Sequence, residues 1–196
     1  VPRLYLIRHG QTQWSITGQH TGRTDLPLTP HGEDESRALA PSLGATRFTR
    51  VLTSPRLRAR QTCALAGLAS GAEIESALAE WDYGSYEGKG TTEIERNRPG
   101  WIVWRDGCPQ GETPADVSDR ADQLLIRLRP IEGNVALFTH GQFGAALGVR
   151  WIGLPLINGQ HLVLGPASLS ILGAEPGHPA VRAIERWNVT PASSSS

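Results

Sequence analysis

Leu4-Tyr5-Leu6-Ile7-Arg8-His9-Gly10-Gln11 and Val135-Ala136-Leu137-Phe138-Thr139-His140-Gly141-Gln142 each carry an apolar run straight into His-Gly-Gln. Short continuous apolar runs of this kind read as buried strands. A histidine at the carboxyl end of such a strand sits where open α/β sheets gather ligands and chemistry. The repetition predicts that distant parts of the chain meet at one site.

The reading extends outward from these two strands. Residues 51–53, 168–172 and 181–187 are further apolar runs bounded by turn signals. Between them the apolar spacing turns helical. Thr29-Pro30 opens a helix reaching residue 43, with a capping residue followed by proline at the first helical position. Ser54-Pro55 repeats the signature, with Leu57, Ala64, Leu65 and Leu68 as the expected buried face. Thr113-Pro114 does so again, with Val117, Ala121, Leu124, Leu125 and Leu128 at helical spacing, and residues 143–152 are a fourth helix. Strands alternating with helices predict a three-layer α/β/α domain with a mainly parallel central sheet. One domain is expected over residues 1–190, with 191–196 a disordered tail. Residues 83–111, rich in Gly, Pro, Trp and charge, read as a long excursion over the ligand edge of the sheet.

At 196 residues the chain is long enough to bury about 70% of its unfolded surface without covalent staples. Its 39% hydrophobic and 19% charged residues are those of a globular protein. The formal net charge of zero gives no reason to expect a nucleic-acid or membrane partner. Cys63 and Cys108 form neither a disulfide framework nor a zinc spacing. No signal-peptide pattern or membrane-length apolar run is present, so a cytoplasmic enzyme is expected. Nothing in the sequence sets an oligomeric state.

His9 follows a strand, precedes a glycine that lets backbone approach a ligand, and has a twin in His140. Adjacent Arg8 repels a cation and no carboxylate stands at ligand spacing, so neither metal nor other cofactor is expected. An arginine beside a histidine suits an anion lying between them. Arg56, Arg58 and Arg60 fall in the first turns of the Ser54-Pro55 helix, where cations oppose the helix dipole unless an anion offsets them. Arg60, between Leu57 and Ala64 on the expected buried edge, is assigned to that anion; Arg56 and Arg58 are expected to be solvated or paired with surface acids. The acid-rich turn from Glu80 to Gly88 offers three carboxylates, readable as ordinary loop charges or, for one held near apolar Trp81 with its pKa raised, as the proton donor that a metal-free phosphoryl-transfer site needs. His20, His31, His161 and His178 are assigned surface or packing roles.

Taken together, these segments resemble the histidine phosphatase, or phosphoglycerate-mutase-like, superfamily. Arg8-His9-Gly10-Gln11-Thr12 is similar to its first signature, and Thr21-Gly22 with Asp25 and Leu28-Thr29 to its second. Ser54 through Thr62 resembles its helix start, Glu80 its acid/base position, and Thr139-His140-Gly141 its second histidine motif. The order and content of the segments are nearest to small acid and sugar-bisphosphate phosphatases of the sedoheptulose-bisphosphatase kind. The resemblance implies hydrolysis of a small phosphorylated metabolite, such as a sugar phosphate, through a phosphohistidine on His9. Arg8, Arg60 and His140 would hold the phosphoryl oxygens and Glu80 would move the proton. Gln11, Ser15, Thr21, Gly22 and Gly141 would complete the pocket, and Trp14, Arg23, Trp101, Trp104 and Arg105 would border the leaving group. Two alternatives stand beside it. A phosphoglycerate mutase needs a second phosphate site, for which Arg96, Arg98 and Arg105 are the available cations; a non-catalytic relative would bind phosphorylated ligands only.

Overall fold

Leu4 and Leu6 project to one side of the first strand, Tyr5 and Ile7 to the other, and all four are buried. In the computed structural model, which describes residues 1–191, they lie in β1 (Arg3–Arg8) near the middle of the sheet. The other strands are β2 (Phe48–Thr53), β3 (Ala72–Ile74), β4 (Asn134–Thr139), β5 (Leu169–Glu175) and β6 (His178–Val189), in the spatial order β3-β2-β4-β1-β5-β6. The first four run parallel, and β5 and β6 extend the β1 edge as an antiparallel pair.

Eight α-helices accompany the described strands: α1 (Gln13–Thr17), α2 (Pro30–Ala38), α3 (Ala40–Gly44), α4 (Leu57–Leu65), α5 (Thr91–Asn97), α6 (Val103–Asp106), α7 (Pro114–Leu128) and α8 (Gly141–Trp151). Leu4, Leu6, Leu52 and Leu137 meet α7 and α8 on one face. Tyr5, Ile7, Val51 and Phe138 meet Leu39, Leu43 and Cys63 on the other. The result is the expected α/β/α sandwich. Thr113 and Asp116 cap α7 reciprocally, with Pro114 in its first turn. Val117, Ala121, Leu124, Leu125 and Leu128 are its buried stripe. Burial contributes about 1.5–3 kcal/mol for each of those leucines, so packing rather than propensity holds the helix.

Three local expectations change. The helix expected from Thr29 to residue 43 divides at Leu39 into α2 and α3, because Pro41 has no N–H to continue the ladder. Strand β3 was not expected: it is a three-residue edge strand with little burial and no apolar pattern. Most consequential is α4. Ser54 and Pro55 precede it rather than cap it, and Arg56 is the capping residue but makes no side-chain cap. The Leu57 N–H is satisfied instead by the Asp25 carboxylate at 2.6 Å. The buried face of α4 is Arg58, Ala59, Thr62 and Cys63, whereas Ala64 is exposed and Leu57 and Leu65 are only half-buried.

The excursion over residues 83–111 contains a single 3-10 turn, α5 and α6. Among the described residues no helix is long and apolar enough to cross a membrane. The tail expected over 191–196 lies, beyond Pro191, outside the described residues.

Candidate active site

Strands β1 and β4 pair in parallel with Arg8 opposite Thr139, so both chains leave the sheet together. The His9 N–H still donates to the Thr139 carbonyl at 3.1 Å. The two imidazoles consequently sit edge to face, with ring centroids 5.2 Å apart.

Their hydrogen bonds assign different tautomers. His9 Nδ1 lies 2.7 Å from the Gly10 carbonyl oxygen, which only accepts, so Nδ1 carries the proton. Nε2 is then a free lone pair, and the Arg58 Nε–H points at it from 3.3 Å. His140 Nε2 lies 2.7 Å from Ser54 Oγ. The other partner of Ser54 Oγ, the Arg56 N–H at 3.3 Å, is itself a donor, so His140 Nε2 is the acceptor within reach of the buried Ser54 hydroxyl proton. The proton of His140 is thereby placed on Nδ1, a buried atom with no protein partner. Burial, reinforced by Arg58 and then by other cationic neighbours, pushes both imidazoles well below their usual 6.5. Both are neutral at pH 7.

Arg58 is fully buried. Its guanidinium donates to the backbone carbonyls of Thr24 (3.0 Å), Thr21 (2.8 Å) and Gly22 (3.3 Å) while Nε faces His9. Arg8 donates to the Leu164 carbonyl, lies against Gly141, and keeps a buried Nε without a protein partner. Burial draws both arginines below their usual range, with the Glu80 charge opposing it; arginine stays protonated at neutral pH all the same.

Glu80 stands at the N-terminus of α8. Its carboxylate accepts the N–H groups of Phe143 (2.8 Å), Gln142 (3.0 Å) and its neighbour Trp81 (3.0 Å). Backbone donors and the positive end of a helix hold this acid, rather than an apolar wall of Trp81.

Arg8, His9, Glu80, Ser15, Thr21 and Gly141 line one cavity of about 330 Å³. Three assignments from the sequence do not hold. Arg60 is exposed on the solvent side of α4, and Arg58 occupies the place given to it. The error traces to the buried face: once Ala59, Thr62 and Cys63 point inward, residue 58 flanks them and residue 60 faces away. Gln11 does not line the cavity; its side chain accepts from Thr29 Oγ1 at 2.8 Å and its N–H donates to Glu35. The Gly22 N–H is likewise committed, to the Glu87 carboxylate at 2.9 Å. A Cβ at Gly22 would lie 2.5 Å from the Trp81 carbonyl oxygen, so glycine there permits close packing and positions Arg58 through its own carbonyl.

Of the aromatic and basic residues expected around the leaving group, Trp14 and Trp104 line the cavity. Trp101 is buried behind it, Arg23 is paired with Asp82, and Arg105 with Asp106. His20, assigned to surface or packing, also lines the cavity and packs against Tyr83 and Trp101 at centroid distances of 4.7 and 5.3 Å. Tyr83 and Gln142 were missed as well; the Tyr83 hydroxyl donates to Gln142 Oε1.

Paired imidazoles at the ends of parallel strands, with the guanidinium groups of Arg8 from β1 and Arg58 from α4 buried beside them, give an α/β protein a cationic site that suits a tetrahedral anion. The model of the histidine phosphatase superfamily (branch 1) matches residues 4–190, and the chain belongs to that family. It is 43% identical over 179 residues to an acid phosphatase of Mycobacterium tuberculosis, covering 89% of this chain and 88% of that one. It is 37% identical over 186 residues to a sedoheptulose 1,7-bisphosphatase of Saccharomyces cerevisiae, covering 78% of this chain and 68% of that one. A solved structure from a Mycobacterium tuberculosis open reading frame superposes with a TM-score of 0.91 at 39% identity, over 97% of this chain and 98% of that one.

Proposed function

We propose that this chain is a phosphoric monoester hydrolase that passes the phosphoryl group of a small phosphorylated metabolite, a sugar phosphate or a close relative, through His9 to water. The observation that carries this reading is the His9 ring: Nδ1 tied to the Gly10 carbonyl, Nε2 a lone pair at the mouth of a cationic cage.

In the first step Nε2 attacks phosphorus in line. The N–P bond forms as the P–O bond to the leaving group breaks, and protonated Glu80 gives its proton to the departing oxygen. Phosphorylation of Nε2 replaces the bond it now receives from Arg58, freeing that N–H for a phosphoryl oxygen. Arg8 Nε and His140 Nδ1–H, two of the buried polar groups left without protein partners, serve the other oxygens. These preorganised donors stabilise charge spread over the equatorial positions. In the second step water attacks phosphorus and Glu80 takes its proton. The N–P electron pair returns to Nε2, phosphate leaves, and Glu80 is again the acid. Ser15, Thr21 and Gly141 border the reacting group. Residues 1–190 act as one domain in this scheme, in a cytoplasmic setting.

The mutase reading has less support. Arg96, Arg98 and Arg105 line no part of the cavity, and Arg98 and Arg105 both approach Asp106. The non-catalytic reading has none, because nucleophile, cage and acid are all present. The test is to quench turnover in alkali, where phosphohistidine survives, and locate the label. Label on residue 9, lost together with turnover in His9→Ala, is expected; a His9→Ala enzyme that still hydrolyses p-nitrophenyl phosphate refutes the scheme.

A further inference from the structure

Arg8, His9 and Glu80 line the cavity; the remainder of its wall carries no other arginine and no lysine. Trp14, Tyr83 and Trp104 supply aromatic surface there, and Gln19, Gln142 and Gln160 supply amides. Trp104 lies so close to the backbone that a Cβ at Gly159 would meet its ring at 2.4 Å, which fixes the indole as a flat wall. His20, which with Tyr83 makes up the other titratable groups of that wall, is lowered by burial and neutral at pH 7.

Resting on the hydrolase reading above, we propose that the substrate is a monophosphate ester of a neutral polyol, and that the cavity rejects esters carrying a second phosphate or a carboxylate. Aromatic faces carry the negative side of the ring quadrupole, which suits the C–H face of a sugar and repels an anion. A second anion drawn into this wall would lose hydration with no cation to replace it. Hydroxyl groups, by contrast, find donors and acceptors. Gln142 is the best placed: its Oε1 is occupied by the Tyr83 hydroxyl, so its NH₂ group is left to donate. Burial, with the Glu80 charge second, holds the Tyr83 phenol well above 10, so it remains the donor in that pair. The proposal separates this chain from the bisphosphatase it resembles.

The test is kcat/KM for carbon-matched pairs: glycerol 3-phosphate against 3-phosphoglycerate, and fructose 6-phosphate against fructose 1,6-bisphosphate, with p-nitrophenyl phosphate as the common reference. The neutral member of each pair is expected to lead by tenfold or more. In Gln142→Ala the value for the polyol esters is expected to fall at least fivefold further than that for p-nitrophenyl phosphate. Equal or reversed preference, with p-nitrophenyl phosphate still turned over, overturns this inference and leaves the hydrolase reading standing. An equal fall for all substrates in Gln142→Ala removes Gln142 from recognition. No turnover of any ester, the reference included, overturns both readings.

Discussion

Arg58 and Arg60 are two residues apart in sequence and opposite in circumstance, which makes the pair a direct test of the site. Arg58 is fully buried, and its fork spans three backbone carbonyls while its Nε meets His9 Nε2. Truncation to alanine removes one preorganised donor from the phosphoryl cage, a loss of about 10²–10³ in kcat by analogy with oxyanion-hole donors. It also strands carbonyls that water must reach, at about 1–3 kcal/mol for each left unsatisfied, so a drop in Tm accompanies it. Arg58→Lys keeps the charge and is the cleaner variant. A point ammonium cannot hold the Thr21 and Thr24 carbonyls and face His9 Nε2 at once, so kcat is expected to fall at least tenfold with a smaller loss of stability. Arg60→Ala, on an exposed face, is expected to change stability by no more than about 0.5 kcal/mol and turnover by less than twofold. Steady-state rates with p-nitrophenyl phosphate and a thermal melt on each variant decide the matter. Arg58→Lys at full activity, or Arg60→Ala as damaging as Arg58→Ala, refutes the reasoning.

Glu80→Gln keeps an acceptor for the α8 amides but removes the transferable proton, so hydrolysis of an alkyl phosphate should slow by about 10²–10⁴ while p-nitrophenyl phosphate, whose leaving group needs little help, slows far less; equal slowing argues against the acid role. Activity should survive EDTA, because the cage of Arg8 and Arg58 supplies the charge stabilisation, and loss on chelation that added metal restores would reopen a metal mechanism. Stability should fall on acidification. His9 and His140 are neutral when folded with pKa values well below 6.5, whereas the unfolded chain protonates them near 6.5. Protons are therefore taken up on unfolding below about pH 6.5, and the stability present above that pH is lost as pH falls, by up to about 1.4 kcal/mol per pH unit for each histidine. Urea melts between pH 7.5 and 5 measure this slope; His9→Asn should flatten it, and an unchanged slope would contradict the buried neutral state.

The elements legible in the sequence are those whose signal is local and strong. β1 and β4 are unbroken apolar runs, and α7 carries both a capping box and a full apolar stripe. β3 was hidden because an edge strand of three residues needs no apolar pattern: its burial is slight and its neighbour supplies the pairing. His9, His140, Arg8 and Glu80 were legible because each stands at the end of a recognisable run. Arg58 was not, and the reason is physical. Ser54-Pro55 has the form of a helix cap, but the serine hydroxyl is committed to His140 and the helix begins at Leu57, capped from outside by Asp25. That tertiary demand displaces the helix start, and the small inward residues Ala59 and Cys63 then mark a different face. The Arg58-Ala59 step ahead of Thr62 and Cys63 was the available signal.

The echoed His-Gly-Gln also shows how a parallel register sets two copies of one local motif side by side in different hydrogen-bonding surroundings. Pairing β1 with β4 brings the copies together, and hydrogen bonds from their surroundings then set them apart. A histidine whose Nδ1–H is spent on its own chain's carbonyl can offer only a lone pair, as His9 does; one whose Nε2 accepts from a serine can offer only a proton, as His140 does. A nucleophile needs the first arrangement and an oxyanion donor the second, and neither ring can serve in the other's place without reversing its tautomer. It follows that Ser54→Ala, which also takes an acceptor from the Arg56 N–H, should act on the site through His140: with no hydroxyl donating to Nε2, that nitrogen is free to carry the proton and Nδ1 turns from donor to acceptor. Loss of that donor predicts weaker binding of phosphate and a lower kcat, with His9 still able to be labelled. A Ser54→Ala enzyme that binds inorganic phosphate as tightly as the parent would show that the second histidine is not held for its proton.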